Sequence, residues 1–364
     1  MSQPSYQYPH VEIDLGKLKE NLAALQERCQ ASSIEISGVV KGFHALPAAA
    51  KVYEEVGVSS IASSRIDHLR VLKEAGIRTP LMLIRIPMPS EVEDVVTWSD
   101  ISLNSECSVL RLLDEAARNK GRTHKVILMV DLGDLREGFW DWDELVAAAL
   151  EVEHDLPNLE LLGVGTNLGC YGSIQATPEK MHDLVAAAEQ VEKAIGRKLE
   201  VISGGASSSL HMVLDGTMPP RINHLRVGEG ILLGSIWGCN MDFMHKDIMV
   251  LRAQVIESKV KPSHPVGELS VDAFGQTRTY VDRGHRLRCL LAMGRVDYGE
   301  SDDLIPREPG IKVLGASSDH TILDVEGATR RLKTGDVLEF DLCYATMVYL
   351  TGSKSVHIYY KNET

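Results

Sequence analysis

Apolar positions in the first two thirds of the chain fall into eight short runs. These are IEISGVV (34–40), SSIA (59–62), PLMLIRI (80–86), DISL (100–103), KVILMVDL (125–132), LELLGVGT (159–166), LEVIS (199–203) and HLRVG (224–228). Each is rich in Val, Ile or Leu and too short for a helix, so each predicts a buried strand. Between them lie amphipathic stretches such as SECSVLRLLDEAARNKG (105–121) and PEKMHDLVAAAEQVEKAIG (178–196). The second has Thr177 placed to cap its start, Pro178 and Glu179 in its first turn, and Gly196 at its end. Strand followed by helix, eight times, predicts a parallel sheet closed as an α/β (β/α)8 TIM barrel. A leading helix is expected at about 14–30. An open doubly wound sheet is the alternative, and eight units favour closure.

After about residue 240 the pattern changes. Runs such as MVLRAQVIESKV (249–260), LRCLLAMGRV (287–296), TILDVEG (321–327) and DVLEFDL (336–342) alternate with Lys-Pro, Pro-Gly and Thr-Gly-Asp turns, and no long helical pattern intervenes. The expectation is a barrel over 1–238 and a C-terminal β-rich domain over 239–364, with the first residues free to join the β domain. The 364-residue length fits one large and one smaller unit.

Composition narrows the function. An apolar fraction of 44% supports a packed core and excludes a disordered or fibrous chain. The net charge of −13, with no basic stripe, argues against a nucleic-acid partner. It mildly favours a cationic substrate. No window reaches the roughly 18 apolar residues of a membrane span. The opening MSQPSYQYPHVEIDLG lacks a basic end followed by an apolar stretch, so no secretory leader is expected. Six cysteines are scattered without a CxxC pair, which reads as reduced thiols and no metal site. A cytoplasmic protein is expected.

Active residues of a barrel gather where strands end, at the C-terminal face. Lys41 follows the first run, Arg136 the fifth, Asn167 the sixth and SGGASSSL (203–210) the seventh, while Arg226 lies on the eighth. Taken singly, each has a plain reading. Lys41 is equally a barrel-end lysine reaching solvent or a desolvated amine suited to a Schiff base. SGGASSSL is an ordinary loop or a phosphate cradle. Arg136 and Arg226 are placed to pair with Asp131 or Glu229. Together they match the needs of pyridoxal phosphate: an amine nucleophile, a phosphate cradle and arginines.

The carrying segments are VEIDLGKLKENL, SGVVKG, PLMLIRIPMPSEVEDVV, HKVILMVDLGDLREG, GVGTNLGCYG, SGGASSSL, LRVGEGILLG, DAFG, LGASSDHTILDV and KTGDVLEFDL. Through them the chain resembles the fold-type III pyridoxal-phosphate enzymes of the alanine racemase group along nearly its whole length. MVDLGDLREG and GTNLGCYG are most similar to the ornithine racemase-like branch. The resemblance implies that Lys41 carries the cofactor and that Arg136 contacts its phenolic oxygen or the substrate carboxylate. Asn167 stands where alanine racemases place a histidine against the pyridine ring. Ser207, Ser208, Gly228, Glu229 and Tyr344 match the phosphate site, with Cys170 the one cysteine nearby. Arg226 matches the arginine facing the pyridine nitrogen. A charged arginine cannot accept a proton there as a carboxylate does, which favours proton removal and return over decarboxylation.

Racemisation needs a proton carrier on each face of Cα. Lys41 would serve one. The family's second carrier is a tyrosine from the partner subunit, and its position here is Phe274, which carries no proton. Asp272 is the chosen candidate, with Glu268, Tyr298, Asp319 and His320 nearby. Glu268 and Tyr298 read as surface residues and His320 as a core-edge histidine. Asp319, with Arg295 and Arg136, would read the substrate. The leading expectation is therefore racemisation of a basic, ornithine-like amino acid by a homodimer with shared active sites. The alternatives are a decarboxylase of the same fold, a non-catalytic pyridoxal-phosphate binder and a cofactor-free Schiff-base aldolase.

Overall fold

The computed structural model describes residues 6–236, 241–272, 274–277 and 279–361. The chain divides into two compact units. One spans Lys17–Lys246; the other joins the opening residues through Gly16 to those from Asp247 onward. Strand β1 (His10–Asp14) belongs to the second unit, and the helix Leu15–Ala31 follows it.

The first unit is a closed barrel. Its strands are β2 (Glu35–Val39), β3 (Ser60–Ser63), β4 (Leu81–Leu83), β5 (Ile101–Asn104), β6 (His124–Met129), β7 (Leu159–Gly165), β8 (Val201–Ser203) and β9 (His224–Val227). They pair in parallel in that order, and β9 pairs back onto β2, so the open-sheet alternative falls. Each strand lies on its predicted run. Their inward side chains, among them Val39, Ala62, Met82, Leu103, Ile127 and Met129, pack as one buried cluster. The run 80–86 keeps only three strand residues, because Arg85 turns back to donate to the Ser64 and Ile86 carbonyls and to pair with Glu91. Its Ile84 and Ile86 still pack on the barrel core. One outer helix shows how local sequence sets its ends. Thr177 Oγ1 accepts from Lys180 N at 3.3 Å, and Gly196 closes the helix Pro178–Ile195 at φ 76°.

The second unit is one eight-stranded sheet. It contains β1, β10 (Met249–Pro262), β11 (His285–Leu291), β12 (Ile305–Pro306), β13 (Lys312–Ala316), β14 (Thr321–Asp324), β15 (Val337–Asp341) and β16 (His357–Lys361). Its main path runs β12-β15-β10-β11-β14-β13, all antiparallel. β1 adds antiparallel to β10 and parallel to β16. One feature corrects the sequence reading: a helix, Tyr344–Gly352, follows β15. Its buried positions are Thr346, Met347, Leu350 and Thr351, so polar residues occupy the inward face and no amphipathic stripe announces it. Cys29, Cys107, Cys170, Cys289 and Cys343 are free thiols, and Cys239 lies outside the described residues. Among the described residues no helix is long and apolar enough to cross a membrane.

Candidate active site

The C-terminal mouth of the barrel collects the polar residues that end its strands. β2 passes Val40, whose N–H bonds the Ala62 carbonyl at 2.9 Å, and turns at Lys41 into a short 3₁₀ segment over buried Gly42 and Phe43. His44 and Ala45 then take left-handed backbone angles, φ 50° and 51°, which complete the sharp turn. Burial pushes the Lys41 amine below the ordinary lysine value. Cys170 and Glu137 oppose that shift, while Arg136 and Arg226 add to it. One lysine, two arginines, a carboxylate and a thiol thus share one neighbourhood.

Arg226 is 4% exposed. Its Nη1 donates to Ser203 Oγ on β8 at 2.5 Å and its Nη2 to the carbonyl of Thr166, just past the end of β7, at 2.8 Å, so its partners are these and not Glu229. Burial lowers its pKa to about 10, with Glu137 opposing and Arg136 assisting. Gly165 makes room for it, since a Cβ there would sit 3.5 Å from Arg226 Nη1 and 3.0 Å from Ser203 Cβ. Arg136 forks onto the neighbouring Glu137 and not onto Asp131. Asp131 instead accepts from Gly133 N at 2.8 Å and Leu135 N at 3.1 Å, a turn that shapes the loop.

Sequence reasoning missed Asp134. It is 1% exposed, and its carboxylate accepts from the backbone N–H groups of Gly169 (3.1 Å), Tyr171 (3.0 Å) and Ile174 (3.3 Å). Its own carbonyl accepts from Gly172 N at 3.1 Å. Burial alone would raise this carboxyl; the converging N–H donors outweigh it and hold the group below the usual range. Asp134 therefore ties the Arg136 loop to the loop bearing Asn167 and Cys170. The signal available in sequence was the second aspartate of a Gly-rich turn, DLGDLREG, but its partners lie about 40 residues away.

The phosphate-type residues form a second group at the mouth. Ser207 Oγ accepts from Gly228 N at 3.3 Å and Gly230 N at 3.1 Å. Ser208 Oγ donates to the Leu168 carbonyl at 3.0 Å. Burial pushes the Glu229 carboxyl up. Asn167 Nδ2 is buried without a hydrogen-bond partner, an orphaned donor in the same loop region.

The remaining candidates lie in the β-rich unit. Asp272 Oδ1 accepts from Phe274 N and Gln276 N, both at 2.9 Å, and so organises a turn. Asp272 and Phe274 line a cavity of about 660 Å³ with Tyr280, Arg283, Arg288 and Asp324. The Arg295 side chain is 10% exposed; it pairs with Glu300, stacks 3.9 Å over the Phe274 ring and keeps Nη1 buried without a partner. Asp319, Glu268 and His320 are exposed, with Asp319 accepting from Ser318 Oγ at 2.5 Å. Tyr298 corrects the surface reading: it is fully buried, its hydroxyl 2.7 Å from Thr321 Oγ1. Tyr344 is half-buried and opens the helix after β15.

A closed parallel barrel with a half-buried lysine and arginines at its mouth, in a chain that also builds a β sheet, is the architecture of the fold-type III barrel enzymes. The match is specific. Residues 13–235 fit the alanine racemase N-terminal domain family, and the chain belongs to it; with the full-length racemase relatives that follow, it is an amino-acid racemase. It is 39% identical to the ornithine racemase of Acetoanaerobium sticklandii, over 96% of this chain and 98% of that protein. It is 37% identical to the lysine racemase of Thermotoga maritima, over 97% and 99%. Among solved structures, the alanine racemase from D-cycloserine producing Streptomyces lavendulae superposes with a TM-score of 0.75 at 20% identity, covering 99% of this chain and 98% of that one. The D-threonine aldolase from Filomicrobium marinum reaches 0.71 at 17% identity, covering 95% and 89%, so the fold alone does not set the reaction.

Proposed function

We propose that this chain is a pyridoxal-phosphate-dependent racemase of a free basic amino acid, ornithine or lysine, acting in the cytoplasm as a homodimer with shared active sites. The substrate class rests on the two relatives that align over nearly the whole chain. Two parts are assigned: a barrel domain that holds the cofactor, and a β domain, including the first strand, that completes the partner subunit's site.

The observation that carries the cofactor reading is Lys41, a desolvated amine at a strand end beside two arginines. The neighbouring residues fit the group as well. The orphaned Asn167 Nδ2 suits a ring or its substituent, and the turn in which Ser207 Oγ accepts from Gly228 N and Gly230 N, with the Glu229 backbone between them, is assigned to a phosphate. Ser208 and Tyr344 are assigned to the same phosphate. Pyridoxal phosphate, when bound, supplies the electron sink that makes a substrate α-proton removable.

Lys41 would then take the α-proton on one face while the carrier on the opposite face delivers one, and in the reverse direction Lys41 would be the donor. Arg136 orients the substrate carboxylate or the cofactor oxygen. Arg226, with a pKa near 10, stays charged at neutral pH and does not receive a proton from the ring nitrogen, which favours proton return over loss of carbon dioxide. Asp272 is assigned the second face, and Arg295 and Asp319 the substrate's charged groups. Deuterium exchange at Cα in heavy water, across a panel of amino acids, tests the reading. Exchange and inversion of ornithine or lysine are expected. Carbon dioxide release would indicate the decarboxylase, and bound cofactor with no exchange on any amino acid a non-catalytic binder.

A further inference from the structure

Behind Arg226 the barrel interior holds a line of polar side chains that none of the roles above uses. His224 sits on β9 two residues before Arg226, so both point to the same side of the strand. Its Nδ1 lies 2.8 Å from Ser203 Oγ on β8, and its Nε2 lies 2.6 Å from Ser37 Oγ on β2. Ser37 Oγ lies 2.5 Å from Ser60 Oγ on β3. Four consecutive strands therefore contribute to one chain that ends at the Arg226 guanidinium. All of it is out of water: Ser37 and Ser203 are 0% exposed, Ser60 2% and His224 4%.

The direction of the hydrogens follows from the chemistry of the end group. An arginine nitrogen only donates, so Ser203 Oγ is the acceptor there. Ser203 keeps one hydrogen to give, and His224 Nδ1 at 2.8 Å is the acceptor within reach that we assign to it, which leaves Nδ1 bare. The ring hydrogen sits on Nε2 and points to Ser37, whose own hydrogen goes on to Ser60. A doubly protonated ring would aim a second N–H at Ser203 and set two cations beside each other in a dry core. Burial first, and the Arg226 charge second, push the His224 pKa down to about 3.

We propose that His224 is a positioning residue for racemisation: as a neutral ring with its hydrogen on Nε2, it holds the Ser203 hydroxyl and through it sets the Arg226 guanidinium. This rests on the reading that Arg226 faces the cofactor's ring nitrogen. A histidine that merely filled space would be replaceable by any residue of similar volume, whereas the hydrogen-bond role depends on where the polar atom sits. His224→Asn keeps a polar atom near the Nδ1 position; His224→Gln moves it towards Nε2; His224→Leu removes it; Ser203→Ala cuts the chain next to Arg226.

The test compares these variants in the protein loaded with pyridoxal phosphate, and adds nitrogen NMR of the histidine rings in the unmodified protein without cofactor. Asn is expected to keep the cofactor absorption band and kcat within about threefold. Gln, Leu and Ser203→Ala are expected to shift the band and lower kcat by about tenfold or more, with KM little changed. The His224 signal is expected to show a bare Nδ1 from pH 8 to pH 5. Folded Gln and Leu variants with an unaltered band and kcat would overturn the proposal, and so would a protonated ring or a hydrogen on Nδ1 at pH 7. If even the unmodified protein takes up no cofactor, the reading of the site fails instead, and the NMR tautomer still decides the chain of hydrogen bonds.

Discussion

Lys41 and Arg226 are polar side chains at or near the ends of apolar strands, and their placement sets different tasks. Lys41 is held below the ordinary lysine value by burial and adjacent arginines, which favours an uncharged amine able to form a Schiff base. Lys41→Ala is expected to lose the yellow colour of the loaded protein and to lower racemisation by about 10³-fold or more, read by absorbance and by polarimetry. Retention of both would remove Lys41 from the mechanism. Asp272→Asn tests the second face. If Asp272 carries that proton, kcat falls by about 10²-fold or more and proton transfer becomes more rate-limiting, raising the Cα-deuterium isotope effect, while the cofactor band stays in place. An unchanged rate in both directions would return the second carrier to the other residues of the β-rich unit.

Loops and strands set where those side chains stand. Asp134 gathers N–H groups from the loop after β7 while lying in the loop after β6, so one carboxylate registers Arg136 against Asn167. Replacing it by Ala leaves several buried donors unmet, and a loss of about 1–3 kcal/mol is expected in chemical denaturation, with cofactor affinity falling too. Because the folded carboxyl lies below its ordinary value, Asp134 stabilises the fold above the unfolded carboxylate range near pH 4. That contribution disappears as pH falls through the folded value. β7 carries a different constraint. A Cβ on Gly163 would lie 1.8 Å from the Val201 carbonyl oxygen, so Gly163→Ala must push β8 aside, and a loss of about 1–3 kcal/mol is expected. A stability equal to that of the unmodified protein would show that the two strands separate freely.

For the whole molecule, acid is the informative stress. His124 and His224 are buried neutral, with pKa values of about 4 and about 3, in both cases mainly because burial disfavours the charged ring. The unfolded chain binds a proton at each near pH 6.5, so the folded state is favoured above that value and loses ground as pH falls from about 6.5 towards 4. Each histidine adds a slope of about 1.4 kcal/mol per pH unit within its window, measurable by urea titration at stepped pH. A flat profile between pH 6.5 and 4.5 would mean that these rings are already charged in the fold. The shared-site dimer proposed above is tested at this scale. Gel filtration with activity assays of the fractions is expected to place all racemase activity at the dimer; an active monomer would overturn the two-subunit arrangement.

Eight apolar runs were enough to place all eight barrel strands, because a strand buried on both faces must be apolar at nearly every position, and that signal is local. Lys41, Arg136 and Arg226 were visible for the complementary reason: a charge next to such a run can only stand at its end or inside a site. Other features were invisible because their causes are distant along the chain. The sequence left the first residues free to join the β domain but did not show the pairing of β1 with β10 and β16, some 240 to 350 residues away. The helix Tyr344–Gly352 has no amphipathic period, and Tyr298 looked like surface until Thr321 was found against its hydroxyl. Asp134 and His224 read as ordinary polar residues, and Ser203 as part of a candidate phosphate loop, until barrel closure placed their partners beside them. The amino-acid sequence by itself determined which segments become strands and which charged groups stand at their ends, since burial and periodicity act over a few residues. Only the tertiary structure decided which polar group meets which, because a hydrogen bond depends on positions that chain closure alone brings within 3 Å.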